Sequence, residues 1–105
     1  MKQNTIALVY DFDGTLTPKT MQEYTIIPRL KLNSDKFWTE ILDEANATDG
    51  EIMMIYMRQL INHAESMNVK ITKEEFMLMA HKIKYFKGVK DWFTNINNYI
   101  KNNHK

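Results

Sequence analysis

No cysteine occurs anywhere in the chain, which excludes disulfides and thiolate metal sites. A surplus of either charge is also missing: 14 basic residues stand against 13 acidic ones, a formal net charge of +1. So balanced a surface creates no field that favours nucleic acid or an anionic membrane. No apolar run approaches the length of a membrane span, and the one near the N-terminus is too short for the hydrophobic region of a signal peptide. A cytoplasmic protein that works without nucleic acid or membrane is therefore expected. Strand-forming sequence is scarce as well. Outside residues 6–10 no stretch reads as a strand, since Val69-Lys70-Ile71 is too short and too polar. What remains is a 105-residue chain, 44% hydrophobic and 26% charged, enough for one domain with a modest core.

The organising stretch is Ile6-Ala7-Leu8-Val9-Tyr10 followed by Asp11-Phe12-Asp13-Gly14-Thr15-Leu16-Thr17-Pro18. Five apolar residues in a row predict a strand at 5–10 buried on both faces, as in a parallel sheet. Ligands of α/β proteins sit at the carboxyl ends of such strands. Extended backbone has a side-chain period of two, so Asp11 and Asp13 can project to the same side. Gly14 permits the positive φ of a sharp turn. Two carboxylates at the mouth of a sheet can divide a phosphoryl transfer between them. Asp11, nearer the strand, is placed to attack phosphorus, and Asp13, on the turn, to carry protons as a general acid and base. A hard cation such as Mg²⁺ would have to neutralise both phosphate and carboxylate, because a phosphate dianion repels a bare carboxylate. An EF-hand is excluded, since a loop starting at Asp11 has Gly14 in fourth place and Gln22 where the bidentate glutamate belongs.

The run from Asp11 to Thr17 resembles the first motif, DxDGT(L/V)T, of the haloacid dehalogenase-like superfamily of phosphohydrolases. That resemblance implies an α/β fold with a Rossmann-type core, represented here by one N-terminal strand and a mainly helical cap, so that this chain is mostly α. It implies that Asp11 is the nucleophile and a Mg²⁺ ligand, and that Asp13 is the acid/base whose carbonyl also reaches the metal. Thr15 is the implied substrate-binding residue. Residues 1–17 then form the first strand and catalytic loop, 18–86 the cap, and 87–105 a helix returning to an incomplete core. Phe86-Lys87-Gly88-Val89 is similar to the family's "PGV" re-entry, with Lys87 where proline is common. Later family elements are a strand bearing Ser or Thr, a lysine that steadies the aspartyl-phosphate and further acidic ligands. None can be assigned here. Lys82, Lys84, Lys87 and Lys90 match that lysine by residue type only and read as solvated surface.

Helix signals fill the rest of the chain. Thr20 with Glu23 reads as a capping box opening a short helix over 20–27, which Pro28 should stop. Asn33 or Ser34 can cap a helix over 35–45 with Phe37, Trp38, Ile41, Leu42 and Ala45 on one face. Residues 46–50 read as a break, after which Thr48 and Glu51 form a box opening a helix over 50–67. Its expected apolar face is Met53, Tyr56, Met57, Leu60, Ala64 and Met67. Thr72 with Glu75 opens a helix over 73–83, and a last amphipathic helix spans 89–101 before a polar tail. The methionines read as flexible core, Trp38 and Trp92 as core anchors. His63, His81 and His104 lack metal-ligand spacing.

The sequence thus leads to a Mg²⁺-dependent phosphatase acting on a small phosphorylated metabolite through an aspartyl-phosphate, without measurable turnover by this chain alone. The alternative is a non-catalytic segment that serves as a helical folding or association module. Because a buried strand must pair its backbone groups, residues 6–10 are expected to pair with a second copy or to be covered by helices.

Overall fold

The computed structural model describes residues 4–103, so His104 and Lys105 at the end of the expected polar tail lie outside the described residues. Six helices occur among them: α1 Met21–Tyr24, α2 Ile26–Arg29, α3 Ser34–Thr48, α4 Ile52–Ser66, α5 Lys73–Ala80 and α6 Val89–Asn103. The chain divides into two units, one running from Met21 to Ile83 and the other made of the segments up to Thr20 and from Lys84 onward.

The Met21–Ile83 unit is helical throughout, and its helix ends are built by local polar chemistry. Asn33 caps α3 by accepting the Lys36 N–H at 2.9 Å, which resolves the choice between Asn33 and Ser34. Thr72 caps α5 by accepting the Glu75 N–H at 3.2 Å. The expected Thr48 box does not form. Thr48 is the last residue of α3 and donates its hydroxyl to the Glu44 carbonyl at 2.7 Å, while Glu51 itself caps α4 by accepting from Met53 at 3.0 Å. The chain breaks instead at Asp49, which takes the left-handed conformation (φ 52°) that aspartate tolerates better than most residues. Pro28 does not stop a helix either. It sits in the first turn of α2, where its missing N–H would have had no intrahelical partner. The interruption falls at Thr25, whose hydroxyl bonds back to the Met21 carbonyl at 2.8 Å.

The core of this unit gathers Ile26, Ile27 and Leu30 with Phe37, Ile41 and Ala45 of α3, Ile55, Leu60 and Ala64 of α4, and Met79 of α5. The face of α4 is rotated from expectation: Ile55 is buried, whereas Met53, Met57 and Met67 are exposed. Trp38 is partly buried, with its ring 5.1 Å from Phe37 and 5.6 Å from Tyr56, both edge to face. Leu42 is exposed. Arg58 and Gln59 of α4 both bond the carboxylate of Glu44 on α3, the latter at 3.1 Å. These bonds, Arg58 first, hold the Glu44 pKa below its ordinary value against a smaller opposing effect of burial. A depressed pKa stabilises the fold above the ordinary carboxylate range, and this stability is lost as pH falls through the lowered value. Thermal melts of Glu44→Gln between neutral and strongly acid pH are therefore expected to show a shallower acid loss than those of the parent chain. Equal acid slopes would show that the pair contributes nothing.

The α/β expectation is overturned. Among the described residues there is no strand and no sheet, only an isolated bridge between Asp13 and Thr17. Residues 4–10 carry no regular structure and are exposed, Ile6 at 86% and Val9 at 89%. A strand exists only through the backbone of a neighbour, and the described residues contain no second segment able to supply one. The Rossmann-type core expected around this stretch is therefore not formed. In the same unit α6 extends to Asn103 and buries none of its residues, so Trp92 is not the core anchor expected of it.

Candidate functional site

The loop at 11–17 is closed by its own backbone. The Phe12 carbonyl accepts from the Leu16 N–H at 2.9 Å, from Thr15 at 3.2 Å and from Thr17 at 3.4 Å. Gly14 makes so tight a return possible with φ at +78°. Thr17 is fully buried and donates its hydroxyl to the Lys19 carbonyl at 2.7 Å, locking the loop's exit. A β-carbon at position 14 would meet nothing within 4 Å, so the cost of Gly14→Ala is purely conformational, about 1–2 kcal/mol. It is expected to appear as faster amide exchange at Thr15, Leu16 and Thr17, with the melting of the Met21–Ile83 unit unchanged. Unaltered exchange would show that the loop does not need its left-handed turn.

Aromatic side chains hold this loop within its unit. The Phe86 N–H donates to the Leu16 carbonyl at 2.9 Å, and the Phe12 ring meets Tyr85 edge to face at 6.0 Å. Just before the loop, Tyr10 meets Phe93 edge to face at 5.6 Å, and its hydroxyl accepts from the Trp92 indole N–H at 2.6 Å. Periodicity put Trp92 and Phe93 on the amphipathic helix over 89–101 but gave no hint of this role. The partners are more than seventy residues away in sequence, and no local pattern encodes such a pairing.

Asp11, Asp13 and Thr15 are all exposed. One carboxylate oxygen of Asp11 accepts the Phe12 N–H at 2.8 Å, which restrains the side chain while leaving the group open to solvent. Thr15 contributes its backbone N–H to the loop closure. Asp11 and Asp13 flank Phe12, the residue whose carbonyl anchors the turn, so both carboxylates ride on one short, hydrogen-bonded support. Lys82, Lys84, Lys87 and Lys90 are exposed, His63 packs beside the Phe37 ring, and His81 is exposed. An apolar cavity of about 240 Å³ lies against the loop, lined by Phe12, Leu16, Tyr85, Val89, Lys90 and Phe93. Its lining is almost wholly apolar and includes neither aspartate.

Mg²⁺ is commonly held by one or two carboxylates, with water and substrate phosphate completing its octahedron. The hard, exposed oxygens of Asp11 and Asp13 fit that donor set. No group of three or more His, Cys, Asp or Glu side chains converges anywhere among the described residues, so the two aspartates are the acidic ligands at hand. No helix among the described residues is long and apolar enough to cross a membrane. Compared with known proteins, the chain matches no protein-family model, no curated protein and no solved structure.

Proposed function

We propose that the loop at 11–17 carries the Mg²⁺-dependent phosphomonoester chemistry of the haloacid dehalogenase-like hydrolases that its sequence resembles. The observation that supports this reading is the presentation of Asp11 and Asp13, both exposed, on either side of the residue that closes a hydrogen-bonded turn. A hydrogen-bonded support lowers the ordering entropy that a reaction at a carboxylate it carries would cost. An Asp11 carboxylate oxygen attacks phosphorus, forming an acyl phosphate as the ester P–O bond breaks. Asp13 gives its proton to the departing oxygen. Asp13 then takes a proton from the water that attacks the acyl phosphate, releasing inorganic phosphate and restoring Asp11. Mg²⁺ held by the Asp11 carboxylate and the Asp13 carbonyl would supply neutralisation of the phosphate charge. Thr15 is the substrate-side residue of this reading, a small phosphorylated metabolite the substrate, and the cytoplasm the compartment.

The test uses beryllium fluoride with Mg²⁺, which mimics a phosphoryl group on a carboxylate, observed by ¹⁹F NMR. A weak bound signal is expected with the parent chain and with Asp13→Asn, and none with Asp11→Asn. A signal that survives in Asp11→Asn, or its absence from the parent chain, would overturn the nucleophile assignment.

A further inference from the structure

An apolar cavity of about 440 Å³ in the same unit is lined by Ile6, Leu8 and Tyr10 together with Phe93, Ile96, Asn97 and Ile100 of α6. The first three are alternate residues, the period of an extended chain with one face turned to a helix. Leu8 and Tyr10 are partly covered, at 52% and 37% exposed, whereas Ile6 at 86% and the intervening Val9 at 89% stand open. No backbone hydrogen bond joins residues 5–10 to any other described residue. The stretch Thr5-Ile6-Ala7-Leu8-Val9-Tyr10 contains no charge, no proline and no glycine, the features with which proteins ordinarily blunt an open edge.

We propose that residues 5–10 pair with the same residues of a second copy, as an antiparallel two-stranded ribbon with Leu8 facing Leu8 across a two-fold axis. The chemistry on offer is backbone N–H and C=O with uncharged β-branched and aliphatic side chains, and a like segment satisfies both at once. Charge selects the direction. A parallel, in-register pair would stack Asp11 on Asp11, whereas the antiparallel pair sends the two carboxylate loops to opposite ends. A two-fold axis at Leu8 sets Ile6 of one copy opposite Tyr10 of the other. The residues facing α6 then stay on one face of the ribbon, and the two α6 helices cover that face together. The size of the surface sets the strength. The exposed parts of Ile6, Leu8, Val9, Tyr10, Phe93 and Ile100 amount to roughly 600–700 Å² per copy even if all of it were covered. A standard stable interface takes about 800 Å² from each partner, so this dimer is weak and reversible.

Sedimentation equilibrium over a wide concentration range tests the pairing, with circular dichroism to confirm that each variant keeps its helices. The parent chain is expected to dimerise reversibly, with amide protection at 6–10 that grows with concentration. Leu8→Lys and Leu8→Glu each place like charges on the axis and are expected to weaken the dimer roughly tenfold or more. An equal mixture of the two variants is expected to associate again, because the axis then pairs opposite charges. The proposal is overturned by a parent chain that stays monomeric with unprotected amides at every concentration. Association indifferent to either Leu8 variant, or a mixture that fails to recover it, overturns it as well. So does protection at 6–10 that appears only on adding an unrelated apolar strand peptide, which would assign the face to a different chain.

Discussion

Phe37→Ala is expected to unfold most of the Met21–Ile83 unit at ordinary temperature. Phe37 is 4% exposed, stacks edge to face on Trp38 at 5.1 Å, and sits in the one apolar cluster that ties α2 and α3 to α4 and α5. Truncating a buried phenylalanine costs about 3–5 kcal/mol, as lost transfer energy plus the cavity left behind. Domains are stable by roughly 0.05–0.15 kcal/mol per residue, or about 3–9 kcal/mol for some sixty residues. The loss is therefore comparable to everything the unit has. Ile41→Ala, at 1% exposed, should follow at about 2–5 kcal/mol, whereas Leu42→Ala on the open side of the same helix should change little. Urea titrations followed by helical circular dichroism measure all three. A Phe37→Ala chain as stable as the parent would show that the cluster is not the core of this unit.

The second large effect concerns turnover. Phosphoryl transfer depends on positioning and on neutralising charge spread over the phosphate oxygens. The loop offers Asp11 and Asp13, but no third acidic or histidine group joins them among the described residues, and the lysines singled out by type are solvent-exposed. Loss of one preorganised electrostatic donor commonly costs about 10²–10³ in rate, and several are wanting here. Phosphate release from an aryl phosphate is therefore expected to stay at background for the 105-residue chain, with or without chelator and equally in Asp11→Asn. Robust release that a chelator stops and Asp11→Asn abolishes would show that the chain already assembles the full clamp. Release unaffected by Asp11→Asn would remove Asp11 from the chemistry altogether. Beryllium fluoride binding addresses the nucleophile without turnover, so a silent assay and a wrong nucleophile remain distinguishable.

Much of this protein is legible locally. Asn33 and Thr72 begin helices because a side-chain oxygen satisfies an amide that has no intrahelical partner, an interaction spanning three residues, whereas α4 is capped by Glu51 and not by the expected Thr48. The turn after Asp13 is equally local, since Gly14 takes its positive φ and the Phe12 carbonyl collects the amides that follow. The two exposed carboxylates follow from that turn and from their spacing. Tertiary structure decided everything that needs a distant partner. Which face of α4 is buried depended on α3, so that Ile55 went inside and the methionines beside it stayed out. Tyr10 found Trp92 and Phe93 across most of the chain's length. The apolar run at 6–10 has the composition of a buried strand, but composition alone makes no sheet. A strand's hydrogen bonds are owed by another segment, and among the described residues none supplies them.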